Sequence, residues 1–96
     1  MKRAQVRAWL QQRTPAPPAA LAEQLAQAVT DSELSLSEHL AEQGRALLAS
    51  VLARPEAGRE LALRLLAADA FVTYACEAQA EADTFRLDAL ARQIAT

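Results

Sequence analysis

The sequence predicts an all-α protein, and three observations support that fold class. Alanine and leucine dominate, with 24 and 15 of the 96 residues, and both have high helix propensity. Two glycines and four prolines are too few to supply the turns of a many-stranded sheet. Apolar residues recur at spacings of three and four, which is the period of a helix. We therefore expect a single helical domain over residues 1–96, a small bundle of four to five helices.

The first two predicted helices are short and are separated by prolines. The first covers about 2–12 and carries an apolar stripe of Val6, Trp9 and Leu10. The segment TPAPP at 14–18 ends it, because each proline lacks an N–H and disfavours helix in the residue before it. The second helix covers about 18–29, with a stripe of Leu21, Leu25, Ala28 and Val29.

The third predicted helix covers about 36–53 and has a clear start signal. Ser35 and Glu38 fit the S-x-x-E capping box at its beginning, and Pro55 is expected to end it. Gly44 lies within its apolar stripe. Because a mid-helix glycine costs about 1 kcal/mol relative to alanine, its position predicts that another helix crosses closely there.

The last third of the chain has a seam of residues that stays on one helical face for some thirty positions. Its members follow one another at spacings of three or four: Leu65, Asp69, Val72, Cys76, Ala80, Asp83, Leu87, Leu90 and Ile94, with Leu61 leading into it. Since ordinary helices run 8–20 residues, we expect two helices, about 57–82 and 84–95, with a kink or break near 82–84. The alternative is one helix from 57 to 95, about 57 Å long at 1.5 Å per residue.

Asp69 is the one charged residue within the stretch LLAADAFVTYAC, residues 65–76. This stretch is apolar all round its helix, which is typical of a helix surrounded by others. We expect Asp69 to point inward and, because a buried unpaired carboxylate costs several kcal/mol, to have a partner. The candidates are an arginine of another helix, His39, a tryptophan or tyrosine donor, or a second copy of Asp69 across a dimer. A structural aspartate is the favoured interpretation, and a general acid or base or a metal ligand with a raised pKa is the alternative.

Charge is distributed unevenly along the chain. The first thirteen residues carry four basic residues and no acid, whereas the segment between Arg64 and Arg86 has four acids and no base. The basic first helix is therefore expected to pack on or near this acidic segment, within a chain or between two. The alternative is a solvated basic end.

Catalytic, cofactor-binding and metal-binding residues are not expected. Glu38 and Glu42 beside His39 form a carboxylate cluster, as do Glu77 and Glu81, but the E-x-x-H motif of di-metal helical bundles does not occur. Cys76 is expected to be a small core residue, since a catalytic thiolate needs a neighbouring base.

Residues 69–77, DAFVTYACE, resemble a helix of the trans-prenyltransferases, which reads roughly D-A-x-x-T-x-A-x-E after the first aspartate-rich motif of that family. The matching residues are Asp69, Ala70, Thr73, Ala75 and Glu77. The D-D-x-x-D motif itself does not occur in the sequence, so the resemblance implies no metal-diphosphate ligand among these residues.

Together these features predict a non-enzymatic helical interaction module without a cofactor, from the cytoplasm of a bacterium. The expected partner is a second copy, giving a homodimer, or another helical protein; no membrane contact is expected. The candidate interface or core seam is Leu61, Leu65, Asp69, Val72, Cys76, Leu87, Leu90 and Ile94.

Two alternatives stay open. One is a bundle that binds a small ligand or a metal in a pocket lined by Asp69, Tyr74, Glu77 and Glu81. The other is a regulator that contacts nucleic acid through the basic first helix, which is less favoured because four basic residues are few.

Overall fold

The computed structural model describes residues 1–53 and 57–95, and within them the chain is all-helical with four helices and no strand. The helices are α1 (Arg3–Gln11), α2 (Ala19–Ala28), α3 (Leu36–Ala53) and α4 (Arg59–Ala95). α3 has the predicted bounds, and α1 and α2 are each one residue shorter at both ends than predicted. Pro55, the predicted end signal of α3, lies outside the described residues. None of the described helices contains an apolar stretch long enough to cross a membrane.

α4 is one continuous helix of 37 residues, so the predicted break near 82–84 is wrong. Neither glycine nor proline occurs between Arg59 and Ala95 to interrupt it. Asp83 does not cap a new helix. Its carboxylate instead accepts a hydrogen bond from the Gln79 amide at 3.0 Å and lies 3.6 Å from the guanidinium of Arg86. Such pairs one turn apart stabilise a continuous helix.

α3 and α4 run antiparallel to each other. Near the start of α3, the Ser37 hydroxyl donates to the Gln79 side chain at 2.8 Å, and near its end Ser50 accepts from Arg64 at 3.4 Å. The first turn of α3 is capped as predicted, because the backbone N–H of Glu38 donates to the hydroxyl of Ser35 at 3.3 Å.

Gly44 lies where α3 crosses α4 most closely, which confirms the sequence prediction. A Cβ at this position would lie 3.2 Å from the carbonyl oxygen of Ala68, 3.2 Å from Cγ2 of Val72 and 3.3 Å from Cβ of Phe71. The missing side chain is therefore what allows the two backbones to approach.

α1 and α2 cover the other side of the core. All four helices contribute to that core, whose buried members are Val6, Leu25, Val29, Leu40, Ala67, Phe71, Ala75 and Ala78. Two arginines of α1 join it to the end of α2: Arg3 donates to the carbonyl of Val29 and Arg7 to that of Ala26, each at 2.9 Å. Cations at the C-terminal end of a helix satisfy its last carbonyl groups and complement its dipole.

The end of α4 extends away from the other helices. The molecule measures 58 × 24 × 20 Å, with a radius of gyration of 15.5 Å, against about 12.5 Å for a compact chain of this length. Every described residue from Gln79 onward is exposed. We refer to residues 82–95 as the arm.

Candidate interaction surface

The predicted seam lies on the outer face of α4, not in the core of the chain. Leu61 is half-buried, and the other candidate residues are exposed: Leu65, Asp69, Val72, Cys76, Leu87, Leu90 and Ile94. The seam was predicted to be either core or interface, and within one chain it is not core. The prediction that other helices surround residues 65–76 is likewise correct for only one side of this helix.

A second stripe, on a different face of α4, forms the core instead. Its buried members are Ala67, Ala68, Phe71, Ala75 and Ala78, again at helical spacing. This stripe was not predicted from the sequence because it is mostly alanine, whereas the seam has larger apolar side chains. The signal that could have found it is Gly44: a glycine on the packing face of α3 is best matched by a partner stripe of small residues.

Asp69 does not point inward, so its predicted burial is wrong. The residue is exposed, and no hydrogen bond or ion pair of its carboxylate occurs among the described residues. His39, one of its predicted partners, is only 3 % exposed and accepts a hydrogen bond from the backbone N–H of Thr30 at 3.4 Å. Burial, together with the charge of the chain's amino terminus, lowers the pKa of His39.

Asp69 lies instead on the edge of a groove between α3 and α4. The groove is lined by Ala41, Gly44, Arg45, Leu48, Leu65, Ala68, Asp69 and Val72. The groove forms because the two helices approach closely at Gly44, and Leu48 of α3 and Leu65 of α4 project on either side of the crossing. Arg45 lies on the rim, paired with Glu42. An apolar floor with charged edges is suited to receive an amphipathic helix.

The arm continues the seam beyond the end of this groove. Leu87 is 65 % exposed, Leu90 51 % and Ile94 77 %, and they lie on the same helical face as the exposed Leu65 and Val72, with Cys76, Ala80 and Asp83 between the two groups. Clusters of exposed apolar side chains of this kind mark interaction sites. A short helix without tertiary contacts is also marginal in water, so a helical partner along the arm would stabilise it.

A separate polar cluster joins α1 to α4 on the opposite face. Arg13 donates to Glu81 at 2.9 Å and to Glu77 at 3.4 Å, and its guanidinium lies 3.6 Å from the centre of the Trp9 ring. The indole N–H of Trp9 also donates to Glu81 at 2.9 Å. The Trp9 ring meets Tyr74 edge to face, with centroids 6.1 Å apart. The cluster confirms that the basic start of the chain packs on the acidic segment of α4.

The cluster also sets two pKa shifts. Hydrogen bonds from Arg13 and Trp9 lower the pKa of the Glu81 carboxyl. Burial raises the pKa of Tyr74, with a smaller contribution in the same direction from Glu77. Three of the four residues predicted to line a pocket, Tyr74, Glu77 and Glu81, therefore lie together, whereas Asp69 lies on another face of the helix.

The remaining candidate chemistry is sparse. Cys76 is an exposed free thiol, so the prediction of a core cysteine is wrong. In the part of the chain that the structure describes, no group of three His, Cys, Asp or Glu side chains could hold a metal ion. The chain matches no protein-family model, and no curated protein or solved structure matches it.

Proposed function

We propose that this protein is a non-enzymatic helical interaction module that self-associates as a homodimer through the seam of α4. The single observation that carries the proposal is the position of the seam, because its large apolar side chains, Leu65 and Val72 at one end and Leu87, Leu90 and Ile94 at the other, lie on one helical face and are exposed. A helix whose apolar residues repeat at spacings of three and four is stabilised most by packing against a second helix of the same kind.

The size of the gain supports a partner of substantial length. Fully burying a leucine, isoleucine or valine side chain stabilises by about 1.5–3 kcal/mol. Leu65, Val72, Leu87, Leu90 and Ile94 are each between 43 % and 77 % exposed, and in a symmetric dimer each counts twice. The same surface also accounts for the elongated shape, since the arm gains its contacts from the second copy and completes a helical bundle there.

A cytoplasmic, bacterial setting is part of this proposal. The one cysteine is an exposed thiol, which suits a reducing compartment. The richness in alanine, leucine and arginine, with little lysine and isoleucine, is the compositional basis for the bacterial assignment.

The experiment that tests the proposal is molar mass by light scattering on a size-exclusion column at two protein concentrations. We expect twice the chain mass of 10.4 kDa. Leu90→Glu should shift the mass to that of one chain, because it places a charge in the seam. Phe85→Glu is the matched control: Phe85 is 80 % exposed on the same helix and outside the seam, so the dimer should persist. A wild-type monomer at both concentrations contradicts the proposal.

The small-ligand alternative has one observation in its favour, a cleft between α1, α2 and α4. Arg7, Arg13 and Tyr74 lie at its polar edge, and Leu10 and Leu25 form apolar walls. A ligand of this cleft would be a small apolar molecule with an anionic group. Mass spectrometry of the purified protein, native and then denatured, tests it: a bound molecule lost from Arg7→Ala supports the alternative, and unliganded protein counts against it.

A further inference from the structure

We infer that the two copies pair with their α4 helices antiparallel, so that the arm of each copy lies in the α3–α4 groove of the other. This inference rests on the proposed dimer and specifies its orientation and register. Its basis is a symmetry in the seam, the position of the groove and the placement of the charges.

The seam is symmetric about its centre. Its first half, Leu65, Asp69, Val72 and Cys76, has spacings of four, three and four, and its second half, Asp83, Leu87, Leu90 and Ile94, repeats them. Eighteen positions, or about five helical turns, separate corresponding members, so both halves lie on one face. A spacing that reads the same in both directions fits a two-fold axis perpendicular to the helix.

An axis level with the Gln79–Ala80 peptide fixes the facing residues. Leu65 of one copy then faces Ile94 of the second copy, and Val72 faces Leu87. Asp69 faces Leu90, and Cys76 faces Asp83. Ala80, a small residue on the same side of the helix, lies beside the axis, where the two backbones can approach.

The two seam aspartates disfavour the parallel arrangement. In a parallel dimer every seam residue faces its own copy, so Asp69 would face Asp69 and Asp83 would face Asp83. Like charges brought together in a partly desolvated interface repel each other. The antiparallel register separates both pairs.

In the antiparallel register, the groove of one copy lies level with the arm of the other. Its α4 wall consists of Leu65, Ala68, Asp69 and Val72, and these residues are level with 87–94 of the second copy. In a parallel dimer the arm would meet only the other arm, and the groove beside Leu48 would stay empty. The antiparallel arm covers Leu48, Leu65 and Val72 together.

Charge complementarity on α3 agrees with this register. Arg86 of the second copy comes level with Thr73 of α4. Gly44 packs against Phe71 and Val72, and the chain of α3 runs antiparallel, so the adjoining turn of α3 is the acidic one at Glu38–Glu42. Because Glu42 is already paired with Arg45, Arg86 would exchange its exposed pairing with Asp83 for the exposed carboxylate of Glu38. The polar cluster of Trp9, Arg13 and Glu81 lies on the far side of α4 and leaves the seam open.

Cysteine cross-linking tests the register, with Cys76→Ala as the background for every variant. Val72→Cys and Leu87→Cys are made separately, and the two proteins are mixed before mild oxidation. We expect the mixture to give a disulfide-linked pair with one chain of each kind, identified by intact mass. Each variant alone should link little, because equivalent positions are then about 22 Å apart along the axis at 1.5 Å per residue. A disulfide requires Cα atoms within about 7 Å.

Mixing Val72→Cys with Ile94→Cys is the out-of-register control and should link little. Self-linking of Leu87→Cys, or of the native Cys76, would overturn the antiparallel inference in favour of a parallel dimer. A protein that is dimeric by light scattering but gives no mixed disulfide also overturns the register while the proposed dimer stands. A protein that is monomeric by light scattering overturns the proposed function itself.

Discussion

The two halves of α4 belong to one uninterrupted helix, yet they have opposite surroundings. From Arg59 to Ala78 the helix lies against α3, and Ala67, Phe71 and Ala78 are buried. Over the arm, residues 82–95, every position is exposed. The seam continues through both halves without a change in spacing, so the sequence pattern alone does not separate them.

The difference shows that α4 carries two apolar stripes with different surroundings. Small residues and Phe71 face inward and hold one chain together, whereas the large aliphatic residues of the seam are exposed. A helix with one such stripe would be an ordinary amphipathic surface helix. With two stripes, one face remains uncovered in the single chain.

The largest expected effect contrasts two phenylalanines on the same helix. Phe71 is fully buried, whereas Phe85 is 80 % exposed. Phe71→Ala should lower the free energy of unfolding by about 3–5 kcal/mol because it leaves a cavity in the core. Phe85→Ala, the matched control, should change it by no more than about 0.5 kcal/mol. Urea unfolding followed by circular dichroism measures both. Equal losses for the two variants would contradict the contrast between the packed half and the arm.

A smaller loss is expected at the crossing of α3 and α4. Gly44→Ala places a Cβ 3.2 Å from the backbone oxygen of Ala68, and overpacking of this kind costs about 1–3 kcal/mol. The higher helix propensity of alanine returns about 1 kcal/mol, so a net loss of about 1 kcal/mol is expected from urea unfolding. Ala46→Gly on the exposed side of α3 is the control and should lose about 1 kcal/mol through propensity alone. A gain in stability for Gly44→Ala would mean that the helices do not approach as described.

The polar cluster at the boundary between the two halves should give a still smaller effect that depends on pH. The pKa of Glu81 is lowered in the folded protein, so its ionised form contributes stability that is present above the ordinary carboxyl pKa and is lost as the pH falls through the folded value. Glu81→Gln should lose no more than about 1 kcal/mol near neutral pH, as is typical of exposed ion pairs. The difference from wild type should disappear between about pH 5 and pH 3.

Thermal unfolding across that pH range checks the sign of this effect. Glu23→Gln, at an exposed position on α2 outside the cluster, is the control. A difference between wild type and Glu81→Gln that grows on acidification would show that Arg13 and Trp9 do not stabilise the ionised carboxylate.

The smallest expected effect is at Asp69. Because the residue is exposed and its carboxylate has no partner among the described residues, Asp69→Asn should change the free energy of unfolding of one chain by no more than about 0.5 kcal/mol. Denaturant titration at low protein concentration, where dissociation is favoured, measures this value. A loss above 1 kcal/mol under these conditions would instead support the prediction from the sequence that Asp69 is buried and paired.

Local sequence signals determined most of the helices. These signals are the capping serine before α3, the prolines after α1 and the apolar stripes of α1 and α2. They act through neighbours within one or two turns, so these helices can be predicted without knowledge of the rest of the fold. The role of Gly44 and the packing of Trp9 could also be predicted, since a mid-helix glycine and a lone tryptophan on an amphipathic face each imply a nearby helix.

Only the tertiary structure decided which face of α4 is inside and whether the helix continues past Asp83. Both stripes on α4 recur at helical spacing, so periodicity alone does not indicate which of them is buried. The choice follows from the close approach at Gly44, which brings α3 against Ala68, Phe71 and the inner edge of Val72 and leaves the rest of the seam exposed. Asp83 could cap a helix or pair within one, and the hydrogen bond with Gln79 and the ion pair with Arg86 favour the continuous helix. The sequence by itself therefore determined the helices and their apolar stripes, and tertiary packing determined which stripe the chain buries.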